Sequence, residues 1–289
     1  MGERYQQVGT AKGPLMLHFY LISCVQIVLE SFPVSSSGHC LLLQNFFSDF
    51  FSSKLSDGHG MCVVTVKTFF NNELVTHFLH GPTVFVLAFF FFNQWKKFLL
   101  HPFKYRYVLL KLALFVMLAD IATAMFYFIF KVFDFSFFPV WAGFLLSACV
   151  LFSLCFIKDK QQKVITWKTA VILGLVQGVA FLPGVSRLGI VFVVSRWLGL
   201  SRKKSFEISF LIFWPLIAVA FLNSITIRAL YADLCVWHVL FNVRTIFVFA
   251  VASVVAFFAL WFVWWLVQKK KMWIFSVYLL LPIVVWFFV

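Results

Sequence analysis

Two short polar stretches interrupt the apolar sequence, and their residue types suit chemistry on a phosphate group. The first, residues 30–39, has the sequence ESFPVSSSGH and supplies a carboxylate at Glu30 and an imidazole at His39. Gln26 precedes Glu30 by four residues, so both side chains share one face of a helix that Pro33 ends. The start of the next helix offers hydroxyls and backbone N–H groups that form a cradle for an anion, at Ser35, Ser36, Ser37 and Gly38.

The second stretch, residues 183–189, has the sequence PGVSRLG and supplies Ser186 and Arg187. A guanidinium is costly in hydrocarbon unless it meets an anion, and its planar fork matches phosphate oxygens. Together the stretches offer a hydroxyl nucleophile, an imidazole, anion donors and a carboxylate for a divalent cation or a proton, which is an inventory for phosphoryl transfer. Structural alternatives stay open: a serine-rich helix cap, a buried ion pair between Glu30 and Arg187, and a core histidine at His39.

The elements that must position these residues are membrane helices. Of the 289 residues, 63% are hydrophobic and only 12% are charged, and the mean hydropathy of +0.98 lies far outside the range of soluble domains. The apolar stretches do not alternate with polar residues, which favours helices over barrel strands. The net charge of +14 comes from short basic clusters between apolar runs, as orientation signals do, so the sequence predicts no nucleic-acid partner.

Six segments approach the roughly 20 residues that a bilayer core requires. They are Leu74–Phe92, Tyr107–Phe130, Phe138–Ile157, Phe206–Leu222, Thr245–Val267 and Met272–Val289. Two further regions, Leu15–Phe47 and Thr169–Leu200, each hold two half-length apolar pieces around a break that contains Pro and Gly, which is typical of re-entrant hairpins. We predict an all-α integral membrane protein, with six spanning helices and two re-entrant helical hairpins in a single membrane domain over residues 1–289.

The distribution of Lys and Arg gives this prediction an orientation. Loops at 94–111, 158–168, 196–204 and 269–271 hold sixteen of the 24 basic residues, and all four lie on the cytoplasmic side only if both broken regions are re-entrant. Each half is then one hairpin followed by three spans, so residues 14–157 and 169–289 form an inverted repeat. An offset of 151 residues pairs identical residues: Val25 with Val176, Gln26 with Gln177, Val34 with Val185, Ser35 with Ser186, and Gly38 with Gly189.

A second polar group lies outside the two breaks. Glu73, His77 and His80 have the i, i+4, i+7 spacing of a metal site on one helix face, although the disruption expected just after them, at Gly81-Pro82, favours an interfacial or supporting role. Asp120 lies within a predicted span and has no assigned task.

The two motifs together resemble those of the undecaprenyl-diphosphate phosphatases, bacterial membrane enzymes that are linked to bacitracin resistance. QIVLESFPVSSSGH is similar to the family's first motif, PGVSRLG is similar to its second, and LGLSRKKSFEISFLIFWP and KKKMWIFSVY look like its later segments. The resemblance implies hydrolysis of undecaprenyl diphosphate in the bacterial inner membrane, at a site open to the outer face. This reaction recycles the lipid carrier for peptidoglycan synthesis. The implied cofactor is a divalent cation, Mg²⁺ or Ca²⁺.

The resemblance also implies roles for individual residues. Glu30 matches the family's essential glutamate, Ser36 the serine proposed as nucleophile, His39 the motif histidine and Arg187 the phosphate-binding arginine. We predict that Ser36 attacks the phosphorus with His39 as base or proton shuttle, and that Glu30 is the candidate metal ligand, with Gln26 beside it. We also predict phosphate-binding positions at Gln26, Ser35, Ser37, Gly38, Ser186 and Gln177. Gln26 stands where many members carry glutamate, and Leu188 and Val191 replace the usual Ser and Thr after the arginine.

Three alternatives stay open. His39 rather than Ser36 could be the nucleophile, with water as a third choice. Broken helices in an inverted repeat are also the architecture of transporters, so the protein could instead move polyprenyl phosphate or another phosphorylated solute across the membrane. The partners implied are a polyprenyl diphosphate lipid and the bilayer, and the sequence leaves homodimerisation undecided.

Overall fold

A computed structural model of the chain describes residues 12–46, 54–56, 63–65, 73–133, 138–157, 165–226, 237 and 239–288. Almost all of this part is helical. The helices are α1 (Lys12–Leu29), α2 (Ser36–Phe46), α3 (Glu73–Phe90), α4 (Phe92–Leu100), α5 (Arg106–Phe133), α6 (Val140–Phe152), α7 (Trp167–Val179), α8 (Arg187–Trp197), α9 (Arg202–Thr226), α10 (Val243–Gln268), α11 (Ile274–Tyr278) and α12 (Leu280–Trp286). A small antiparallel ribbon joins strands β1 (Lys54–Ser56) and β2 (Val63–Thr65).

Both sequence breaks are breaks between two helices. Helix α1 ends at Leu29 because Pro33, four residues later, has no N–H to donate to the Leu29 carbonyl. Helix α2 starts at Ser36, and the hydroxyl of Ser35 caps it by accepting a bond of 3.1 Å from the N–H of Gly38. The predicted break between two helices is therefore confirmed, although only α2, with 11 residues, is half-length, whereas α1 has 18.

The second break repeats the first in atomic detail. Helix α7 ends at Val179 and helix α8 starts at Arg187, where the hydroxyl of Ser186 accepts a bond of 3.1 Å from the N–H of Gly189. The residues of this cap are the ones that the 151-residue offset pairs with Ser35 and Gly38 in the first break. The sequence echo thus corresponds to the same local hydrogen bond at both sites.

The tips of the two helix–break–helix segments touch each other. A Cβ atom added at Gly38 would lie 2.8 Å from the Cα of Gly184, and one added at Gly143 on α6 would lie 2.0 Å from the carbonyl oxygen of Pro183. The hydroxyl of Ser147, also on α6, accepts a bond of 2.8 Å from the backbone N–H of Ser186. Glycine at these positions lets the two backbones approach more closely than any side chain allows.

Three helices are long and apolar enough to cross a membrane: α5, α9 and α10. Helices α3 and α4 make a fourth candidate if they are counted as one span, although they are bent by 71° at Phe91. The two other predicted spans are shorter helices here. The segment Phe138–Ile157 forms α6 and one 3-10 turn, and Met272–Val289 is divided into α11 and α12. The described chain is thus a multi-pass helical membrane protein.

The helices pack in pairs that match across the two halves of the chain. Helix α1 lies against α10, and α7 lies against α5 in the corresponding way. Helix α8 contacts α6, and α2 contacts α12. Helix α3 packs along α9, and the indole N–H of Trp214 on α9 donates to the carbonyl of Val84 on α3 over 3.1 Å. This packing holds α3 beside the touching tips.

Candidate active site

A cavity of about 330 Å³ lies between the two tips and one face of α3. Both breaks and α3 contribute polar side chains to it. Its polar lining consists of Gln26, Glu30, Ser35, Ser36, Ser37, Gln44, Thr76, His80 and Arg187. Apolar residues close the remaining wall, among them Leu79, Val185 and Phe213. The structure therefore brings most of the sequence-predicted site residues to one cavity, from segments about 150 positions apart.

Glu30 is the most heavily engaged of these residues. It is 7% exposed, and its Oε1 accepts a bond of 3.0 Å from the Nε2 of Gln26, as their predicted shared helix face requires. His80 Nδ1 lies 2.5 Å from the same oxygen, and the hydroxyl of Thr83 donates to Oε2. A buried carboxylate is stable only when donors or a nearby positive charge replace water, and here Gln26 and Thr83 donate while the His80 ring lies close to it.

Gln26 is held at both ends of its amide. Its Nε2 donates to Glu30, and its Oε1 accepts a bond of 3.2 Å from the thiol of Cys40 on α2. The amide group therefore links α1, the break and α2. The thiol occupies one of the two lone pairs of the amide oxygen, so the second remains available to a metal held together with Glu30.

The three serines of the first break have different roles. Ser35 is buried, and its hydroxyl caps α2 and lies 3.3 Å from the hydroxyl of Ser37. Ser36 is partly exposed at the cavity, and among the described residues its hydroxyl has no hydrogen-bond partner. Ser36 is thus the serine whose oxygen is free to meet a substrate.

Arg187 brings a positive charge to the cavity from the second tip. Its guanidinium carbon lies 5.6 Å from the ring centre of Phe181 and 5.0 Å from that of Phe213, so the planar group is held between two aromatic faces. Among the residues that the structure describes, none forms a hydrogen bond or ion pair with this guanidinium. The alternative of a structural ion pair with Glu30 is therefore not formed, and the fork of N–H donors remains available to an anion.

His39 is not among the residues that line this cavity, although the sequence predicts that it acts beside Ser36 as base or proton shuttle. Its Nδ1 donates to the carbonyl oxygen of Ser35 over 2.6 Å, and its Nε2 accepts from the hydroxyl of Tyr278 at 3.1 Å. The ring stacks on Tyr278 and meets the edge of Phe144. Both ring nitrogens are occupied, and the imidazole ties α2 to α6 and α11.

Three other predicted phosphate-binding positions also lie outside the cavity lining, namely Gly38, Gln177 and Ser186. Gly38 is buried, and its N–H donates to the hydroxyl of Ser35. Gln177 is 1% exposed and donates to the hydroxyl of Thr123 at 3.4 Å and to the carbonyl of Ile212 at 3.3 Å. Ser186 is fully buried and serves as the cap of α8. The side chains of Gln177 and Ser186 hold helices together, whereas Gln26 and Ser35, which the 151-residue offset pairs with them, reach the cavity.

Sequence reasoning missed Thr83 and left His80 without a task. The polar residues that face the cavity side of α3 are Thr76, His80 and Thr83, with i, i+4, i+7 spacing, and this periodicity was the available signal. The sequence prediction instead grouped His80 with His77 and Glu73, which lie on an adjacent stripe of the α3 surface. The side chain of Glu73 lies outside the described residues, and Asp120 on α5 does not line the cavity.

The residues that line the cavity can bind a divalent cation only if oxygen atoms of a substrate complete its set of ligands. Among the described residues no cluster of three His, Cys, Asp or Glu side chains is present, and Glu30 is the one carboxylate in the cavity lining. Two donors, on Gln26 and Thr83, already use part of its lone pairs, and the His80 ring lies against the same carboxylate. Mg²⁺ commonly binds through one carboxylate together with phosphate oxygens and water, which this donor set allows.

Comparison with known proteins places the chain in a family. The family model of the bacitracin resistance protein BacA matches residues 19–284. An undecaprenyl-diphosphatase of Borrelia recurrentis is 29% identical over 91% of this chain and 95% of its own length. Proteins of the same name from Borrelia hermsii and Treponema denticola are 26% and 29% identical, over 92% and 90% of this chain and 96% and 92% of their own lengths.

Proposed function

Because the chain belongs to the BacA family of bacitracin resistance proteins, we propose that it hydrolyses undecaprenyl diphosphate to undecaprenyl phosphate and inorganic phosphate. One observation carries the proposal at the level of atoms. A free serine hydroxyl, a fixed carboxylate and an unpaired guanidinium meet in one cavity between two touching helix tips. The protein is thus a membrane phosphatase that recycles a lipid carrier for cell-wall synthesis.

In the proposed reaction the hydroxyl oxygen of Ser36 attacks the terminal phosphorus of the diphosphate. The bond from that phosphorus to the bridging oxygen breaks, undecaprenyl phosphate leaves, and the phosphoserine is then hydrolysed by water to release inorganic phosphate. Arg187 neutralises negative charge on the equatorial oxygens, since its fork faces the cavity without a protein partner. The backbone N–H groups at the start of α2 add donors near the same oxygens.

His80 is the imidazole that we propose for moving the serine proton. It lines the cavity and its Nδ1 faces Glu30, so Nε2 is the nitrogen left to accept a proton. The Glu30 carboxylate stabilises the imidazolium that this transfer forms, in the same way as the acid of a catalytic triad orients its histidine. This assignment replaces His39, whose ring nitrogens are both engaged elsewhere.

We also propose that a divalent cation takes part, held by Glu30 and by oxygens of the diphosphate. When bound, such a cation supplies positive charge that offsets the charge of the leaving phosphate. The Gln26 amide orients Glu30 through its Nε2 donor, and its oxygen accepts a hydrogen bond from the Cys40 thiol. Restoration of activity by Mg²⁺ or Ca²⁺ after treatment with a chelator is the measurement that tests this step.

The finer topology is part of the same proposal: six spans and two re-entrant hairpins in an inverted repeat over residues 14–157 and 169–289. The identical caps of α2 and α8 and the matched helix pairs support it. We place the protein in the bacterial cytoplasmic membrane with the cavity open to the outer face. In support, His80 lies ten residues before the end of α3, about 15 Å of helix, and the basic residues Lys96 and Lys97 lie beyond that end on α4.

The function is tested by phosphate release from undecaprenyl diphosphate with purified protein in detergent. No membrane sidedness exists there, so a transporter without catalysis would release nothing. We expect Ser36→Ala and His80→Gln each to reduce turnover by at least about 100-fold, the contribution typical of a nucleophile or general base. His39→Gln should lower thermal stability more than turnover. Full activity of His80→Gln together with an inactive but folded His39→Gln would overturn the proton assignment.

A further inference from the structure

A second cavity, of about 870 Å³, lies at the opposite end of α3 from the candidate active site. It is bordered by α4, the start of α5, the start of α9 and the end of α10. One wall is aromatic and includes Phe91, Trp95 and Trp264, whereas the rim carries Lys97, Lys203 and Lys204. We refer to this space as the basic cavity. Nothing in the phosphatase mechanism uses it.

The bend between α3 and α4 creates the basic cavity. At Phe91 the chain turns by 71°, so α4 diverges from the bundle and leaves space above α9. Trp95 on α4 stacks on Phe91 at 5.8 Å and meets the edge of Trp214 at 5.5 Å, which holds α4 in this direction. Tryptophan and lysine together are typical of the depth at which lipid head groups lie.

The charges around the basic cavity are not balanced by protein. Four basic residues line it and Glu207 is the one acidic residue in its lining, which leaves a net charge of +3 from four positive and one negative group. Lys203 lies 4.0 Å from Glu207, a separation at the limit of an ion pair. Among the described residues, Lys97 and Lys204 have no ion pair. A residual positive field of this size attracts an anion.

We propose that the basic cavity binds an anionic phospholipid, with its head-group phosphate on Lys97 and Lys204 and an acyl chain along the aromatic wall. Basic pockets between membrane helices are known to take anionic lipid head groups. A cluster that served only to orient the chain in the membrane would need no cavity beside an apolar wall. The proposal depends on the chain lying in a bilayer and does not depend on the hydrolysis proposed for the other cavity.

The test is native mass spectrometry of the full-length protein with added phosphatidylglycerol or phosphatidylethanolamine. Lys97→Gln with Lys204→Gln should weaken phosphatidylglycerol binding about 30-fold, because each lysine contributes roughly a factor of five at an anionic surface. Binding of zwitterionic phosphatidylethanolamine should not change. The matched control is Lys104→Gln with Lys111→Gln, which removes the same charge from exposed positions outside the basic cavity and should leave both lipids unaffected.

A second variant keeps the lysines and fills the space. Leu211→Trp adds a large side chain to the lining and should also weaken phosphatidylglycerol binding. Equal losses in the control double variant, unchanged binding in both cavity variants, or displacement of the phospholipid by undecaprenyl phosphate would each overturn the proposal. Phosphate release by the cavity variants in lipid-free detergent should equal that of the wild type, so failure here is distinguishable from failure of the phosphatase assignment.

Discussion

Gly184→Ala is the substitution that most directly tests the contact between the two tips. Gly184 has a φ of +83°, which costs an L-residue about 1 to 2 kcal/mol. Its new Cβ would lie 2.2 Å from the carbonyl oxygen of Val140 and 3.0 Å from the backbone nitrogen of Phe144. Backbone atoms cannot rotate away, so overpacking adds about 1 to 3 kcal/mol. We expect a total destabilisation of about 2 to 5 kcal/mol.

The assay is the temperature of half-inactivation in detergent, measured together with phosphate release below that temperature. Gly199→Ala is the matched control, because Gly199 has a φ of +90° but lies after α8, at the helix end away from the tips. The control should show the conformational cost alone, about 1 to 2 kcal/mol. Gly184→Ala should also lose turnover, since Arg187 follows three residues later. A Gly184→Ala protein no less stable and no less active than Gly199→Ala would refute the close approach of the tips.

Three further substitutions test individual contacts of the candidate site. Thr83→Val removes the donor to Glu30 and should lower kcat/KM about 10-fold to 100-fold, as expected for a bond to a charged group, whereas Thr83→Ser should retain activity. Arg187→Lys keeps the charge but loses the planar fork, so phosphate release should fall at least about 100-fold; equal rates would exclude recognition by the fork. Tyr278→Phe keeps the stacked ring and removes the bond to His39, so thermal stability should fall by about 1 kcal/mol with turnover unchanged. A large fall in its turnover would contradict the placement of His39 outside the cavity.

The breaks and their caps were predictable because their signals are local. Pro33 removes a donor from the helix that precedes it, and Ser35 stands where a cap of α2 is required. The shared face of Gln26 and Glu30 follows from helical periodicity alone. Arg187 could be assigned to the cavity because a guanidinium within an apolar membrane segment must face a polar or water-filled site.

The position of His39 could not be obtained in this way. Its place three residues after Ser36 puts both on neighbouring parts of α2, but the rotation of that helix is set by Tyr278, which is 239 positions further along the chain. The position of His80 at the cavity was equally hard to predict, because several stripes of the α3 surface carry polar residues. The stripe that faces the cavity is decided by the packing of α3 on α9, which is a tertiary contact.

Neither half of the chain encloses the candidate active site alone. Residues 26–80 supply the serines, the carboxylate and the imidazole, whereas residues 180–213 supply the guanidinium and the wall opposite. A product truncated after the first half would carry its nucleophile on an open surface and would lack the guanidinium that binds the diphosphate. Partial loss of the gene should therefore abolish the activity outright, and rescue should require that both fragments be made in the same cell.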